Sequence, residues 1–275
     1  LSGLPIGECA RYVVRGKAPA SPRDGFSAPL ILRSAVDDAE GAAMQGIKVL
    51  AFDAGGTILD WHAGLVAALA ECGARRGIKR DWHAFANEYR RRSLQRMLGA
   101  VEPAFNIDDV HRDVLDELLG EAAIDAFSPE DRHTVAQRWH ELEAWPDFVP
   151  ALARLRPRYV CVSFTILSLS LVVDVSRRNG IGWDAVIPCE MLRVYKTRRE
   201  AYQLAAKLLG VPPGEILMVA CHNFDLDAAR GQGYKTAFVR RPDEWGPAGP
   251  PDPVPNPATD IVVAGFAELA ERLGT

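Results

Sequence analysis

No apolar run in this sequence approaches the roughly eighteen residues that a membrane span requires. The patch Leu30-Ile31-Leu32 is too short for the hydrophobic core of a signal peptide. Basic residues are not in excess, since 32 Lys and Arg face 36 Asp and Glu for a net charge of −4. The densest basic cluster, Arg90-Arg91-Arg92, sits in a helical pattern with acidic residues nearby, so nucleic-acid binding has no electrostatic footprint. Cysteine is sparse too. Cys9, Cys72, Cys161, Cys189 and Cys221 show no CxxC spacing, and three of them lie in or at the ends of apolar strand-like runs. Buried, reduced thiols in a cytoplasmic protein are therefore expected. What remains is a 275-residue chain, 48% hydrophobic and 25% charged, with ample material for a core.

Residues 1–45 carry scattered Gly and Pro and no lasting period of 2 or 3.6, and read as a poorly structured extension ahead of Met44. Residues 62–144 hold four helical patterns and no strand. These are marked by Leu65, Val66, Leu69 and Cys72; by Phe85, Tyr89, Leu94 and Leu98; by Val110, Val114, Leu115 and Leu118; and by Val135, Trp139 and Leu142. Ser128-Pro129-Glu130 is the start signal of the last. From Trp145 strands and helices alternate: a helix over 148–155, a strand over 159–164, a helix over 169–178 closed by Asn179-Gly180, and a strand over 185–188. A helix around Tyr202, a strand over 216–220, a helix over 226–231, strands over 236–239 and 261–263 and a helix over 266–273 complete the series. A Pro-rich loop spans Pro242 to Pro257. Such alternation implies a parallel sheet covered on both faces, with ligands bound beyond the carboxyl ends of its strands.

The stretch Lys48–Asp60, KVLAFDAGGTILD, brings chemistry to that edge. A buried strand, Val49–Phe52, ends at the carboxylate Asp53, and Gly55, Gly56 and Thr57 follow. A carboxylate at a strand end costs desolvation unless its charge has a use, and the glycines leave room for a ligand beside it. Three further points follow in chain order: Thr165 after the strand 159–164, Lys196 in Val194-Tyr195-Lys196, and Asp225 in Cys221-His222-Asn223-Phe224-Asp225.

Carboxylate, hydroxyl, lysine and carboxylate after successive strands resemble the haloacid dehalogenase superfamily. FDAGGTILDWH at the front, and a Tyr six residues after the Lys, are similar to its L-2-haloacid dehalogenase (type II) branch. The resemblance covers residues 46–273. It implies an α/β fold, a Rossmann-like core with a parallel sheet flanked by helices over 46–61 and 145–275, and a helical cap over 62–144 inserted after the first motif. It implies a hydrolase acting on small 2-haloacids without a cofactor or metal, and homodimerisation. By the family's mechanism Asp53 displaces halide from the α-carbon, and water then attacks the aspartyl ester. Lys196 keeps Asp53 ionised, and Asp225 holds Lys196 or helps activate water. Thr165 donates to the substrate carboxylate and Thr57 steadies the loop. Arg90, after Tyr89, matches the arginine for the leaving halide or carboxylate, and Tyr202 the tyrosine lining the site. An outward-facing Arg90 and a packing role for Tyr202 fit the sequence as well, and His222 and Asn223 fit either a site contact or a structural role.

Departures from the pattern bear on the substrate. The superfamily's phosphatases place a second Asp two residues after the nucleophile, and here that position is Gly55. An alkoxide leaving group then has no proton donor, whereas a halide needs none. Gly55 also replaces the aromatic residue that dehalogenases place there. Ile166 and Leu167 replace an Asn-Gly pair, and Thr197 the Pro after the Lys. A Mg²⁺-dependent phosphatase or phosphonate hydrolase, and a non-catalytic binding protein on the same fold, are the alternatives.

Overall fold

The computed structural model describes residues 44–99 and 106–275, so the expected extension and Cys9 lie outside the described residues, apart from Met44 and Gln45. Strand β1 (Val49–Phe52) is buried along its whole length. It lies between β2 (Val160–Thr165) and β4 (Ile216–Ala220), with Phe52 level with Ser163 on one side and Val219 on the other. β3 (Ala185–Pro188), β5 (Lys235–Val239) and β6 (Ile261–Val263) complete a parallel sheet of order β3-β2-β1-β4-β5-β6. The continuous apolar sequence of β1 and β4 is what a strand buried on both faces demands. Chain order reverses between β1 and β4, and such a switch point is where open α/β sheets bind their ligands.

Between β1 and β2 the chain forms α1 (Trp61–Arg75), α2 (Trp82–Gly99), α3 (Ile107–Glu121) and α4 (Pro129–Gln137), then a 3₁₀ turn over Arg138–Glu141. Their starts are written locally. Asp60 accepts from Ala63 N, Asn106 from Asp108 N, and Ser128 and Asp131 form a reciprocal capping box. The chain leaves and re-enters the sheet layer side by side, since Asp60 N donates to Glu143 O at 2.9 Å and Trp145 N to Ile58 O at 2.8 Å. The seam is polar. Ser168 Oγ donates to Asp108 Oδ2 at 2.7 Å, and His140 Nδ1 lies 2.8 Å from Asp174 Oδ2.

The remaining helices are α5 (Phe148–Leu155), α6 (Leu169–Asn179), α7 (Cys189–Leu192), α8 (Arg199–Leu209), α9 (Asn223–Arg230) and α10 (Phe266–Arg272). Under the sheet, Phe52 meets Phe148 and Phe266 with ring centres 5.6 and 5.9 Å apart, each fully buried. Each such ring stabilises the fold by about 1.5–3 kcal/mol relative to exposure. Three elements differ from the sequence reading, the first being the fourth helical pattern, whose α-helix ends at Gln137 so that Trp139 lies in the 3₁₀ turn and Leu142 is extended. The turn α7 is too short to show a period, and α9 starts at Asn223 rather than Leu226 because His222 is the last extended residue, although it makes no side-chain cap.

Candidate active site

Asp53 is the first residue past β1, and its N–H donates to Val219 O at 3.0 Å, which holds it at the mouth of the switch point. Its side chain is buried and its two oxygens have different neighbours. Oδ1 accepts from Lys196 Nζ at 3.3 Å. Oδ2 accepts from Thr57 Oγ1 at 2.8 Å and lies 3.3 Å from His222 Nδ1. Burial pushes the Asp53 pKa upward, but Lys196, His222 and Thr57 together overcome this and hold the carboxyl well below its ordinary range. The group is ionised without solvent, as a nucleophile must be.

Lys196 is itself buried at 2% exposure and is shared with Asp225, whose Oδ2 accepts from Nζ at 2.7 Å. Burial opposes the ammonium charge, and the two carboxylates more than restore it, so its pKa lies above the ordinary value. The other oxygen of Asp225 accepts from Tyr202 OH at 2.7 Å. Tyr202 also packs edge-on to Phe164, and Tyr234 OH donates to Tyr202 O at 2.6 Å. Tyr202 thus packs in the core and touches Asp225 at once. With both oxygens engaged, Asp225 is a strut for Lys196. The Lys196–Thr197 peptide is cis.

Behind Asp53 lies a residue that the sequence reading did not single out. Glu244, in the Pro-rich loop, is 1% exposed, and its Oε1 lies 3.0 Å from His222 Nε2 and accepts from Trp61 Nε1 at 3.1 Å. His222 thus bridges Asp53 and Glu244. Burial would lower its pKa, but Cys221, Glu244 and Asp53 together raise it well above 6.5, which favours the imidazolium. Gly56 makes room for Glu244. Its φ is +92°, and a Cβ there would sit 2.0 Å from Glu244 Oε1.

From the helical layer, Arg90 points inward while Arg91 and Arg92 pair with Glu88 and Glu121 at the surface. Arg90 Nη2 donates to Gly55 O at 3.1 Å, and its guanidinium carbon lies 5.7 and 5.6 Å from the ring centres of Trp61 and Trp139. Its Nε and Nη1 are buried without a hydrogen-bond partner among the described residues. Gly55 allows this approach, since a Cβ there would come within 3.0 Å of Arg90 Nη2. The guanidinium of Arg90 thus lies where a side chain at residue 55 would begin. Two N–H groups held in an aromatic slot suit an anion.

The other predicted residues are placed less centrally. Thr165 is buried at the end of β2, with its Oγ1 accepting from Leu167 N at 3.1 Å. Ile166 and Leu167 belong to the apolar core. Asn223 faces the Pro-rich loop, donating to Val254 O at 2.8 Å and accepting from Asn256 N at 2.8 Å, so its side chain anchors that loop. Mg²⁺, which needs near-octahedral oxygen ligation, would have to share the Asp53 and Gly55 oxygens with Lys196 and Arg90.

A family model for haloacid dehalogenase-like hydrolases matches residues 47–231. The (S)-2-haloacid dehalogenase of Xanthobacter autotrophicus is 29% identical over 210 residues, covering 71% of this chain and 76% of that protein. (S)-2-haloacid dehalogenase 4A of Burkholderia cepacia is 27% identical over 213 residues, covering 72% and 85%. Among solved structures, a defluorinating L-2-haloacid dehalogenase superposes with a TM-score of 0.78 at 35% identity, covering 83% of this chain and 96% of that one.

Proposed function

The chain belongs to the haloacid dehalogenase-like hydrolases, and from that premise we propose that it hydrolyses the carbon–halogen bond of small (S)-2-haloacids, with Asp53 as nucleophile. The observation that carries this reading is a buried, ionised carboxylate held between Lys196 on one oxygen and His222 on the other. Relatives named (S)-2-haloacid dehalogenase make that substrate series the first to test.

In the first step an Asp53 oxygen attacks the α-carbon, a C–O bond forms, and the C–X pair leaves as halide. The unpartnered N–H groups of Arg90 receive an anion, either halide or substrate carboxylate. Thr165 stands at the strand end for the same carboxylate. Esterification cancels the Asp53 charge, so His222 loses one of the two carboxylates that hold its proton, and that proton departs to solvent. Neutral His222, backed by Glu244, then removes a proton from the water attacking the ester carbonyl carbon. Returned to the departing alkoxide as the acyl C–O bond breaks, this proton yields the 2-hydroxy acid. The regenerated Asp53 carboxyl passes its own proton to His222 and restores the resting pair. One water is consumed, and one halide and one proton are released. Asp225, with both oxygens occupied, positions Lys196 and does not serve as the base.

Halide release from 2-chloropropionate in the presence of a chelator, abolished in Asp53→Asn, tests the reading. Release that survives in Asp53→Asn, or none from any 2-haloacid, would refute it. Homodimerisation, which the family resemblance implies, is supported by Leu204 and Leu208, neighbours on one face of α8 at 37% and 67% exposure, and is read by sedimentation. A cytoplasmic location is supported by four free, buried cysteines, Cys72, Cys161, Cys189 and Cys221, and is read by fractionation. No helix among the described residues is long and apolar enough to cross a membrane.

A further inference from the structure

We propose that Cys221, His222 and Glu244 form a binding site for a single Zn²⁺-class cation, and that filling it stops turnover at the ester stage. The second half rests on the reading of Asp53 as nucleophile, while the site itself does not. Cys221 has no role in the reaction above, yet its sulfur is buried against the two residues that activate water. The three ligand atoms are close enough to share one ion. Sγ lies 3.4 Å from His222 Nε2 and 3.5 Å from Glu244 Oε2, and Nε2 lies 3.0 Å from Oε1. A tetrahedral Zn²⁺ with Zn–S near 2.3 Å and Zn–N and Zn–O near 2.0 Å has edges of roughly 3.3–3.6 Å. The Sγ–Nε2 edge already has that length, the two Glu244 oxygens divide the other two edges between them, and one ligand atom from each residue falls within 4.8 Å of the rest.

Outer contacts fit the same use. A metal-bound imidazole ordinarily donates its other N–H to a carboxylate, and His222 Nδ1 faces Asp53 Oδ2 at 3.3 Å. Trp61 Nε1 holds Glu244 Oε1, and Gly56 lets that carboxylate lie flat on the backbone. A cavity of about 220 Å³ is lined by Cys221 together with Phe238, Arg240, Pro242, Pro250 and Pro253, and so approaches the trio from the thiol side. The ligand set of thiolate, imidazole and carboxylate selects Zn²⁺ or Co²⁺ over Mg²⁺ and Ca²⁺.

Coordination through Sγ and Nε2 uses a thiolate and an imidazole lone pair, so loading releases protons. Once Nε2 is on the metal, Nδ1 carries the ring's remaining proton toward Asp53, and His222 has no lone pair for water. Alkylation of Asp53 proceeds and hydrolysis does not.

The test is a Co²⁺ titration of the whole chain. A thiolate-to-cobalt charge-transfer band that saturates at one ion per chain, is displaced by Zn²⁺, and is lost in Cys221→Ser and Glu244→Gln with unchanged circular dichroism, is the expected result. Absence of the band in the wild type, or its persistence in Cys221→Ser, overturns the site. On 2-chloropropionate, Zn²⁺ should leave one halide released per chain and then stop turnover, reversibly on chelation. Cys221→Ser, measured against its own zinc-free rate, should need at least about 10-fold more Zn²⁺. Equal sensitivity of the two proteins overturns the link to catalysis. A zinc-free wild type that releases no halide overturns the dehalogenase reading and with it that link, and the cobalt band still decides the site.

Discussion

Replacing Lys196 by Met removes the ammonium that touches both Asp53 and Asp225 and leaves two buried carboxylates facing a methyl group. At 3.3 and 2.7 Å, the two attractions amount to about 5 and about 6 kcal/mol at an effective dielectric near 20. The ammonium's own desolvation cancels much of this, and breaking a buried pair from one side costs about 3–5 kcal/mol. That is a large part of a total stability of about 5–15 kcal/mol, so Lys196→Met should fold with a much lower Tm. The same energy sets the chemistry. Asp53 is ionised because Lys196 and its neighbours outweigh burial, and without Lys196 its pKa rises. Each 1.4 kcal/mol is about a tenfold change in the ionised fraction or the barrier, so kcat/KM should fall by roughly 10²–10³ at neutral pH and recover in part as pH rises. Halide release followed from pH 5 to 9, with thermal unfolding alongside, reads both effects. Adding Asp225→Asn should restore much of the Tm but not the rate. A Lys196→Met protein within about threefold of wild type across that range, or with unchanged Tm, would refute the reasoning.

Other variants separate the remaining parts. His222→Gln should release one halide per chain and then stall, with the ester visible by intact mass; steady turnover would remove His222 from the hydrolytic step. Gly56→Ala places a methyl 2.0 Å from Glu244 Oε1 at a φ of +92°, so it should lose about 1–2 kcal/mol from the backbone and show the same stall as Glu244 is displaced; normal turnover would mean that Glu244 is not needed. At the polar seam, Asp108 raises the His140 pKa above 6.5 despite burial, and Asp174 adds to this. A raised histidine pKa contributes stability that is complete below 6.5 and fades as pH climbs through the folded value. The Tm difference between wild type and His140→Gln should therefore be largest near pH 6 and shrink as pH rises beyond 6.5, and a difference independent of pH would contradict the bridge.

What could be seen in the sequence was whatever a strand end makes explicit. Asp53, Lys196 and Asp225 follow recognisable patterns, and the structure places Lys196 Nζ 3.3 Å from Asp53 and 2.7 Å from Asp225. Arg90 was ambiguous because Arg91 and Arg92 beside it carry the same charge, and only the packing of α2 decides which one faces Trp61 and Trp139. Glu244 was hidden for another reason. It lies in a loop without period, and its contact with Trp61 spans 183 residues. An acid in a Pro-rich loop leaves no local trace of burial. Asn223 was drawn into the site by its proximity to Asp225, but the start of α9 turns it toward the loop at residues 254–256. Gly55 carried two meanings, since the lost carboxylate was legible and the arginine it admits was not.

The central claim is that Asp53 becomes covalently bonded to substrate and is released by attack at its own carboxyl carbon. A single turnover in heavy-oxygen water, with enzyme in excess over (S)-2-chloropropionate, tests it directly. The account predicts a first 2-hydroxy acid carrying ordinary oxygen, and heavy oxygen recovered in the peptide that contains Asp53. Heavy oxygen in that first product, with an unlabelled peptide, would show that water attacks the substrate itself and would contradict the account.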